Sequence, residues 1–150
     1  RVVYTDMEEY YFRVKKVSID DIKKKYGIFG NITVTFTCDP VMYLQEGDVS
    51  VPISGTLRLY NPWSESHPIF KISGEGVCKI TVNGKEVSAN VGQNLLINTN
   101  LMQTYREDGA LNNTAITGDY ENLYLQEGLN EISVSSGFAA EVIPKWGVRL

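Results

Sequence analysis

Residues 77–91 read VCKITVNGKEVSANV and predict a β-hairpin. The Asn83-Gly84 pair at the centre accepts positive φ at both positions, as a two-residue type I′ turn requires. The turn sets which residues face each other across the strands, namely Val82 and Lys85, Ile80 and Val87, and Cys78 and Ala89. Because side chains alternate along a strand, one face of the hairpin is wholly apolar. We expect that face to line a core formed by Cys78, Ile80, Val82, Val87 and Ala89.

Alternation with a period of two predicts further strands along most of the chain. The clearest are GTLRLY (55–60), PIFKIS (68–73), NLLINT (94–99), LNEISVSS (129–136) and FAAEVIPKW (138–146). No sustained 3.6-residue stripe follows residue 27, and strands at such short spacing are typical of a sandwich. The sequence therefore predicts an all-β protein, an antiparallel β-sandwich.

The first part of the chain predicts a short β region with one short helix. The segments YYFRVKKV (10–17) and NITVTFTC (31–38) alternate, and in the second we expect Phe36 and Cys38 to lie in the core. Between them, SIDDIKKKYG (18–27) combines a capping box with lysines in a last turn and a terminal Gly27, which predicts a helix. Proline and glycine residues between positions 50 and 68 predict a junction before a new domain.

Two segments near the other end of the chain predict connections. Residues 101–125 show little alternation and predict a long loop or an excursion across the sandwich. In YENLYLQEGLNEISV (120–134), Gly128 permits a reversal and Asn130 can bond the backbone of the turn. We expect Ile132 and Val134 to point inward from the strand that follows.

Composition and charge exclude two classes of partner. The chain of 150 residues carries 14 basic and 18 acidic side chains, a formal net charge of −4, so it lacks the basic surplus that binds nucleic acid. No run approaches the roughly 18 apolar residues of a membrane span, so we expect no membrane insertion. The sequence begins without methionine, and we expect it to be part of a longer protein.

No residue set in the sequence predicts catalysis. The one histidine, His67, lies in a proline-bracketed loop, and no serine stands in a G-x-S-x-G setting. SGEGVCK (73–79) has Lys79 where a dinucleotide fingerprint needs its third glycine, and we interpret the segment as a connection between strands. We expect no catalytic residues, no cofactor and no metal, and therefore no enzyme.

The two cysteines do not form a metal-binding motif. Cys38 and Cys78 are far apart in the sequence and have no nearby histidine or further cysteine. So few cysteines in a chain of this length are typical of a reduced compartment, and we expect two free, buried thiols. A disulfide between them is the alternative.

A group of aromatic and planar polar residues predicts a contact surface. RLYNPWSESH (58–67) brings together side chains suited to a saccharide or a partner protein, namely Arg58, Tyr60, Asn61, Trp63 and His67. The segment partly resembles the galectin signature His-x-Asn-Pro-Arg, with Leu59 in place of its histidine and Trp63 in place of its arginine. A carbohydrate-binding module for a cell-surface glycan is thus one hypothesis. In the alternative, Trp63 packs a loop against the edge of the sandwich.

Several segments together resemble the distal tail protein of long-tailed phages and prophages (the siphovirus tail component family), in its C-terminal part. They are FTCDPVMY (36–43), NPWSESHPIFKISGEG (61–76), ITVNGKEV (80–87), LINTNLM (96–102), GDYENLYLQEGLNEISV (118–134) and VIPKWGVRL (142–150). Their order and spacing cover nearly the whole chain. One departure is Asn98, where the family often has aspartate.

The resemblance implies a structural virion protein of the tail tip or baseplate. It implies a ring-forming N-terminal domain, of which residues 1–48 would be the last strands, and a galectin-like or carbohydrate-module-like sandwich at 49–150. It also implies a homohexamer when full length, located at the tail tip and in the bacterial host cytoplasm during assembly. The implied partners are the major tail protein, a tail-associated baseplate protein and, in some phages, a receptor-binding protein.

Overall fold

The computed structural model describes residues 1–20, 23–25, 27 and 29–150. The strands of the first part are β1 Val2–Tyr4, β2 Met7–Ile19, β3 Lys23–Lys25, β4 Phe29–Asn31, β5 Val34–Leu44, β6 Val51–Ile53 and β7 Thr56–Asn61. They are followed by β8 Ile69–Val82, β9 Lys85–Asn98, β10 Gln103–Tyr105, β11 Ile116–Thr117, β12 Gly128–Val134, β13 Ala139–Ile143 and β14 Gly147–Arg149. Three short 3₁₀ segments lie at Gln45–Asp48, Asn113–Ala115 and Tyr120–Leu123. The predicted all-β class is confirmed.

The predicted hairpin forms the centre of the larger sheet. Asn83 and Gly84 have φ values of 50° and 79°, as a type I′ turn requires, and β8 and β9 pair along their whole length. The three predicted cross-strand pairs are all present. The five residues of the predicted apolar face have at most 1% of their surface exposed. The register of the hairpin is therefore confirmed.

Strand β8 is longer than the sequence predicted, because Gly74 and Gly76 lie inside it. Their φ values of 146° and 103° and the φ of 74° at Gln93 opposite are unfavourable for most side chains. The interpretation of SGEGVCK as a connection between strands was wrong. The glycines instead separate the first part of β8, which pairs with β13, from the last part, which pairs with β12.

The larger sheet surrounds one core. Its main strand order is β10-β9-β8-β12-β7, with β11 beside β9, and with β13 pairing both β8 and β6. The two parts of the β8–β9 hairpin, before and after the glycines, turn the same face inward. The buried apolar side chains therefore form a single cluster. Its fully buried members include Phe70, Ile72, Ile80, Leu95, Ile97, Leu123, Leu125, Ile132 and Val142. Residues 101–125 cross this sandwich as the predicted excursion, with β10 and β11 both pairing β9.

A second sheet packs against this sandwich. Its order is β1-β2-β5-β14, so the last strand of the chain returns to pair with residues 41–43 of β5. Leu44 and Trp146 belong to the same core cluster as the sandwich residues. The backbone N–H of Leu44 donates to the carbonyl of Trp146 at 3.0 Å, and that of Lys145 donates to the carbonyl of Gly47 at 2.7 Å. These hydrogen bonds join the two segments, residues 44–47 and 145–146, at which the chain passes between the sheets.

Two expectations for the first part of the chain were wrong. Phe36 is 49% exposed and outside the core, because no layer of the described residues packs on the apolar face at the end of β5 that carries it. The predicted helix over 18–27 is not found where the structure describes this segment. Residues 18 and 19 end β2, and Lys23–Lys25 pairs with Phe29–Asn31. Four residues of this region, at positions 21, 22, 26 and 28, lie outside the described residues.

Both cysteines are free, as predicted, but only one is fully buried. Cys78 has no exposed surface, and burial raises the pKa of its thiol. Cys38 is half-buried, because it lies where β5 begins to extend away from the core.

Replacing Gly84 with Val should lower the free energy of unfolding by about 1 kcal/mol or more, because a β-branched residue resists positive φ. The Cβ would meet no neighbouring atom within 4 Å, so the cost would come from the backbone alone. Chemical denaturation measures the loss. Gly92→Ala is the control, because this exposed strand glycine has no positive φ and open space around it. Unchanged stability of the Gly84→Val variant would contradict the proposed backbone strain.

Candidate functional site

The five residues predicted as a contact surface lie on β7 and the loop after it, but they point in different directions. Arg58 and Tyr60 project from the outer face of β7 into solvent. The Arg58 Nε atom lies 3.0 Å from Oε1 of Glu131, its cross-strand neighbour. Tyr60 is 65% exposed and stands opposite the exposed Leu129. Tyr60 and Leu129 together form a small exposed apolar patch at the edge of the sheet.

Asn61 has a structural role. It has no exposed surface, and its Nδ2 atom donates to the carbonyls of Ser64 and Gln126 at 3.0 and 3.2 Å. Its Oδ1 atom accepts the backbone N–H of Trp63 at 2.9 Å. Trp63 in turn is partly buried and packs against the core cluster. Asn61 therefore holds the loop that the tryptophan fastens to the sandwich.

His67 lies on the other side of the same loop. Its ring stacks on Tyr124 with centroids 4.0 Å apart, and its Nδ1 atom lies 3.3 Å from Oδ1 of Asn100. The structure thus brings His67 to a cleft, leaves Arg58 and Tyr60 outside, and uses Asn61 and Trp63 for packing. A glycan or partner contact through the five residues stays a prediction.

The cleft beside His67 lies between the second sheet and the sandwich and encloses about 350 Å³. One wall is the face of β2, β5 and β14 that carries Arg13, Tyr43 and Arg149. The opposite wall is the loop 64–67 together with Tyr124. Backbone hydrogen bonds in both directions between Ser66 and Leu125, at 2.9 and 3.0 Å, hold this second wall in place.

Contacts next to the cleft hold two of the residues that line it, Lys145 and Tyr43. Asp48 Oδ1 accepts hydrogen bonds from the hydroxyl of Tyr11 and from Nζ of Lys145, both at 2.8 Å. Burial raises the pKa of Tyr11 to about 12, and the hydrogen bond to Asp48 adds to the effect. Tyr11 also stacks on Tyr43, with ring centroids 5.4 Å apart. These contacts restrict the positions that the side chains of Tyr11, Tyr43 and Lys145 can take.

A second feature is a two-stranded ribbon, residues 14–19 of β2 and 34–38 of β5, here called the arm. Cross-strand pairs place Val17 beside Phe36 and Ile19 beside Val34 on one face. These four side chains are 41% to 62% exposed. Within the described part of the chain, no strand pairs the outer edges of the arm, because β1 ends opposite Phe12 and β14 pairs only residues 41–43. The arm thus combines an exposed apolar face with unpaired edges.

Sequence reasoning missed both the cleft and the exposure of the arm. Arg13 and Arg149 lie at opposite ends of the sequence, and no local motif connects them. The alternation in the arm was visible, but it predicted a buried face. No helix of the described residues is long and apolar enough to cross a bilayer. The same residues contain no group of three or more His, Cys, Asp or Glu side chains that could hold a metal.

The fold and these features define an all-β protein with two packed antiparallel sheets, of which one extends into an exposed arm. A similar fold occurs in the crystal structure of the SPP1 Dit (gp 19.1) protein, described as a paradigm of the hub adsorption apparatus in Gram-positive infecting phages. The TM-score is 0.64 with 15% sequence identity, and the match covers 93% of this chain and 61% of that chain. The predicted likeness to a distal tail protein is confirmed at the level of the fold.

The sequence comparisons add nothing to this structural likeness. No protein-family model matches the chain, and no curated protein matches it. This chain spans 61% of the length of SPP1 Dit.

Proposed function

We propose that this chain is a structural protein of a phage or prophage tail tip, where it acts as a hub that links other tail proteins. The observation that carries the proposal is the fold match to a phage hub protein over 93% of the chain. The match is broad enough to include strands of both sheets, so it is not explained by a common sandwich alone. The proposed role is non-enzymatic.

The proposed partners are the major tail protein on one side of the hub and a tail-associated baseplate protein on the other. A receptor-binding protein is a further partner of the outer sandwich. In this proposal residues 1–48 belong to the ring and 49–150 form a galectin-like sandwich outside it. The protein acts at the virion tail tip and is assembled in the host cytoplasm.

The arm supports the proposed homohexameric ring. A ring needs head-to-tail contacts between unlike surfaces of neighbouring copies. An isolated two-stranded ribbon is marginal in water, and unpaired strand edges bind other strands readily. The arm presents both such edges and the exposed pair Val17 and Phe36. Contact with a neighbouring copy would cover this apolar surface and stabilise the ribbon.

The assembly prediction concerns oligomeric state. We expect the 150-residue chain to be a monomer or weak dimer and the complete gene product to be a hexamer, because the ring needs whole ring domains. In the complete protein, Val17→Thr together with Phe36→Ser should dissociate the hexamer, since the apolar face is lost. Light scattering with sedimentation velocity measures the mass of each species.

Thr35→Ser is the matched control, because Thr35 lies on the opposite, polar face of the arm. A complete protein that stays monomeric at high concentration would count against the hub. A hexamer that survives the double substitution would show that the ring contacts lie elsewhere. Hexamers of the 150-residue chain would show that the ring contacts lie within these 150 residues.

A further inference from the structure

We propose that the cleft between the two sheets is a binding site for a small molecule that carries a carboxylate or a phosphate. Arg13 and Arg149 are the groups that would hold the anion. The site goes beyond the tail role proposed above, and it holds whether or not the chain assembles into a hub.

The two arginines reach the cleft from the same sheet face. Arg149 on β14 stands opposite Val41 of β5, two residues from Tyr43. Side chains two residues apart share a face of the sheet, which places Arg149 on the side of Tyr43. The Arg13 guanidinium carbon lies 4.4 Å from the centre of the Tyr43 ring, on that same side. Strands that are distant in sequence thus bring two guanidinium groups to one wall.

The position of Arg149 is also fixed from the opposite wall. Its backbone N–H donates to the hydroxyl of Ser64 at 3.1 Å, which connects β14 to the loop 64–67. The Arg149 side chain remains exposed. A guanidinium on a fixed backbone with a free side chain is suited to bind an anion that enters the cleft from solvent.

The charges around the cleft favour an anion. Three cationic side chains and two carboxylates line it. The cation Lys145 already pairs with Asp48 at 2.8 Å, and the carboxylate of Asp39 pairs with Lys15 at 2.6 Å. Among the described residues, neither Arg13 nor Arg149 forms an ion pair. The positive charge left uncompensated in the cleft is therefore that of the two arginines.

The remaining carboxylate does not cancel this charge. Glu65 Oε2 accepts a hydrogen bond from Nε2 of Gln126 at 2.8 Å, and its other oxygen lies 3.7 Å from Nε2 of His67. The Glu65 carboxylate therefore contacts neighbours on its own wall of the cleft. Its single negative charge does not balance the two positive charges of Arg13 and Arg149. Two arginines suit the planar oxygens of a carboxylate or phosphate, which they bind through paired N–H groups.

The size of the cleft points to a small ligand. The 350 Å³ of the cleft lies at the small end of the roughly 300–1,000 Å³ that ligand sites enclose. One phosphorylated or carboxylated sugar unit, or a free inorganic anion, would fit.

The test is a titration of the 150-residue protein by calorimetry and by amide chemical shifts, in phosphate-free buffer of low ionic strength. The probes are glucose 6-phosphate, glucuronate, glucose and inorganic phosphate. We expect the anionic probes to bind and to shift the amide signals of the loop 64–67 and of β14, whereas glucose does not bind. Tighter binding of the sugar anions than of phosphate would assign the ligand to the carbohydrates. Equal binding would assign it to simple anions.

The substitutions Arg13→Gln and Arg149→Gln should each weaken binding by about tenfold or more, because each removes charge-assisted hydrogen bonds to the anion. Arg149 is exposed, so its variant should fold normally even if Arg13→Gln does not. Arg106→Gln is the control, since Arg106 is exposed and lies outside the cleft. The proposal is overturned if no anionic probe binds, if glucose binds as tightly, or if Arg149→Gln leaves the affinity unchanged.

Discussion

Replacing Asn130 with Ala is expected to lower the free energy of unfolding by about 3 kcal/mol, because several backbone groups would lose their partner in a buried site. Asn130 has no exposed surface. Its Oδ1 atom accepts hydrogen bonds from Nδ2 of Asn83 at 2.8 Å and from the backbone N–H of Gln126 at 2.9 Å. Its Nδ2 atom donates to the carbonyls of Gln126 and Gly128 at 2.8 and 3.0 Å.

The loss should extend beyond one turn. Asn83 belongs to the β8–β9 hairpin turn, and its own Oδ1 accepts the backbone N–H of Glu131 at 2.9 Å. Asn130 therefore connects the hairpin turn to the turn that begins β12. Denaturant unfolding measures the effect, with Asn90→Ala at an exposed position of β9 as the control, expected within about 0.5 kcal/mol of wild type. If Asn130→Ala were as stable as the control, water would have replaced the Asn130 side-chain amide as the hydrogen-bond partner of these backbone groups.

Replacing Gly47 with Ala is the second large effect we expect, a loss of about 3 kcal/mol through overpacking against Trp146, where the two segments that connect the sheets meet. Gly47 is buried, and its φ is not positive, so a new methyl group would not strain its own backbone. The added Cβ would instead lie 2.9 Å from Cβ and 3.0 Å from Cα of Trp146, and would also press on the backbone nitrogen of Trp146. Backbone atoms cannot rotate away, so one of the two segments must shift.

Thermal or denaturant unfolding of Gly47→Ala measures this cost. Gly92→Ala is the matched control, because a Cβ there would meet nothing within 4 Å and the φ is likewise not positive. We expect that control to be neutral or slightly stabilising, since alanine has less freedom than glycine in the unfolded chain. A Gly47→Ala variant that unfolds like wild type would mean that residues 47 and 146 are not in close contact in solution.

The hairpin shows how much a local pattern can predict. Asn83-Gly84 restricts the turn to one type, and the turn sets the register for both strands. Every predicted pair and every predicted buried position of this hairpin is found. Asn130 was predicted as a residue that bonds its turn, and it does so. These features depend on residues close in sequence, so the sequence contains all the information that they need.

The arm shows where such a pattern is insufficient. Alternation in residues 31–38 correctly predicts a strand with one apolar face, but it does not say what covers that face. Phe36 and Val34 are exposed because, among the described residues, no other layer packs on them. The glycines of β8 are a related case. The sequence predicts a connection between two strands at these glycines, whereas β8 and β9 continue their pairing through them.

By itself, the sequence determined the all-β class, the register of the central hairpin, the two turns stabilised by asparagine and the likeness to a phage tail protein. Each of these follows from short-range backbone preferences or from the order of segments. Only the tertiary structure decided that β14 returns to pair with β5, and that Arg13 and Arg149 therefore meet in one cleft. The physical reason is that strand pairing between distant segments depends on how all the strands together bury the core. No single segment determines such a pairing.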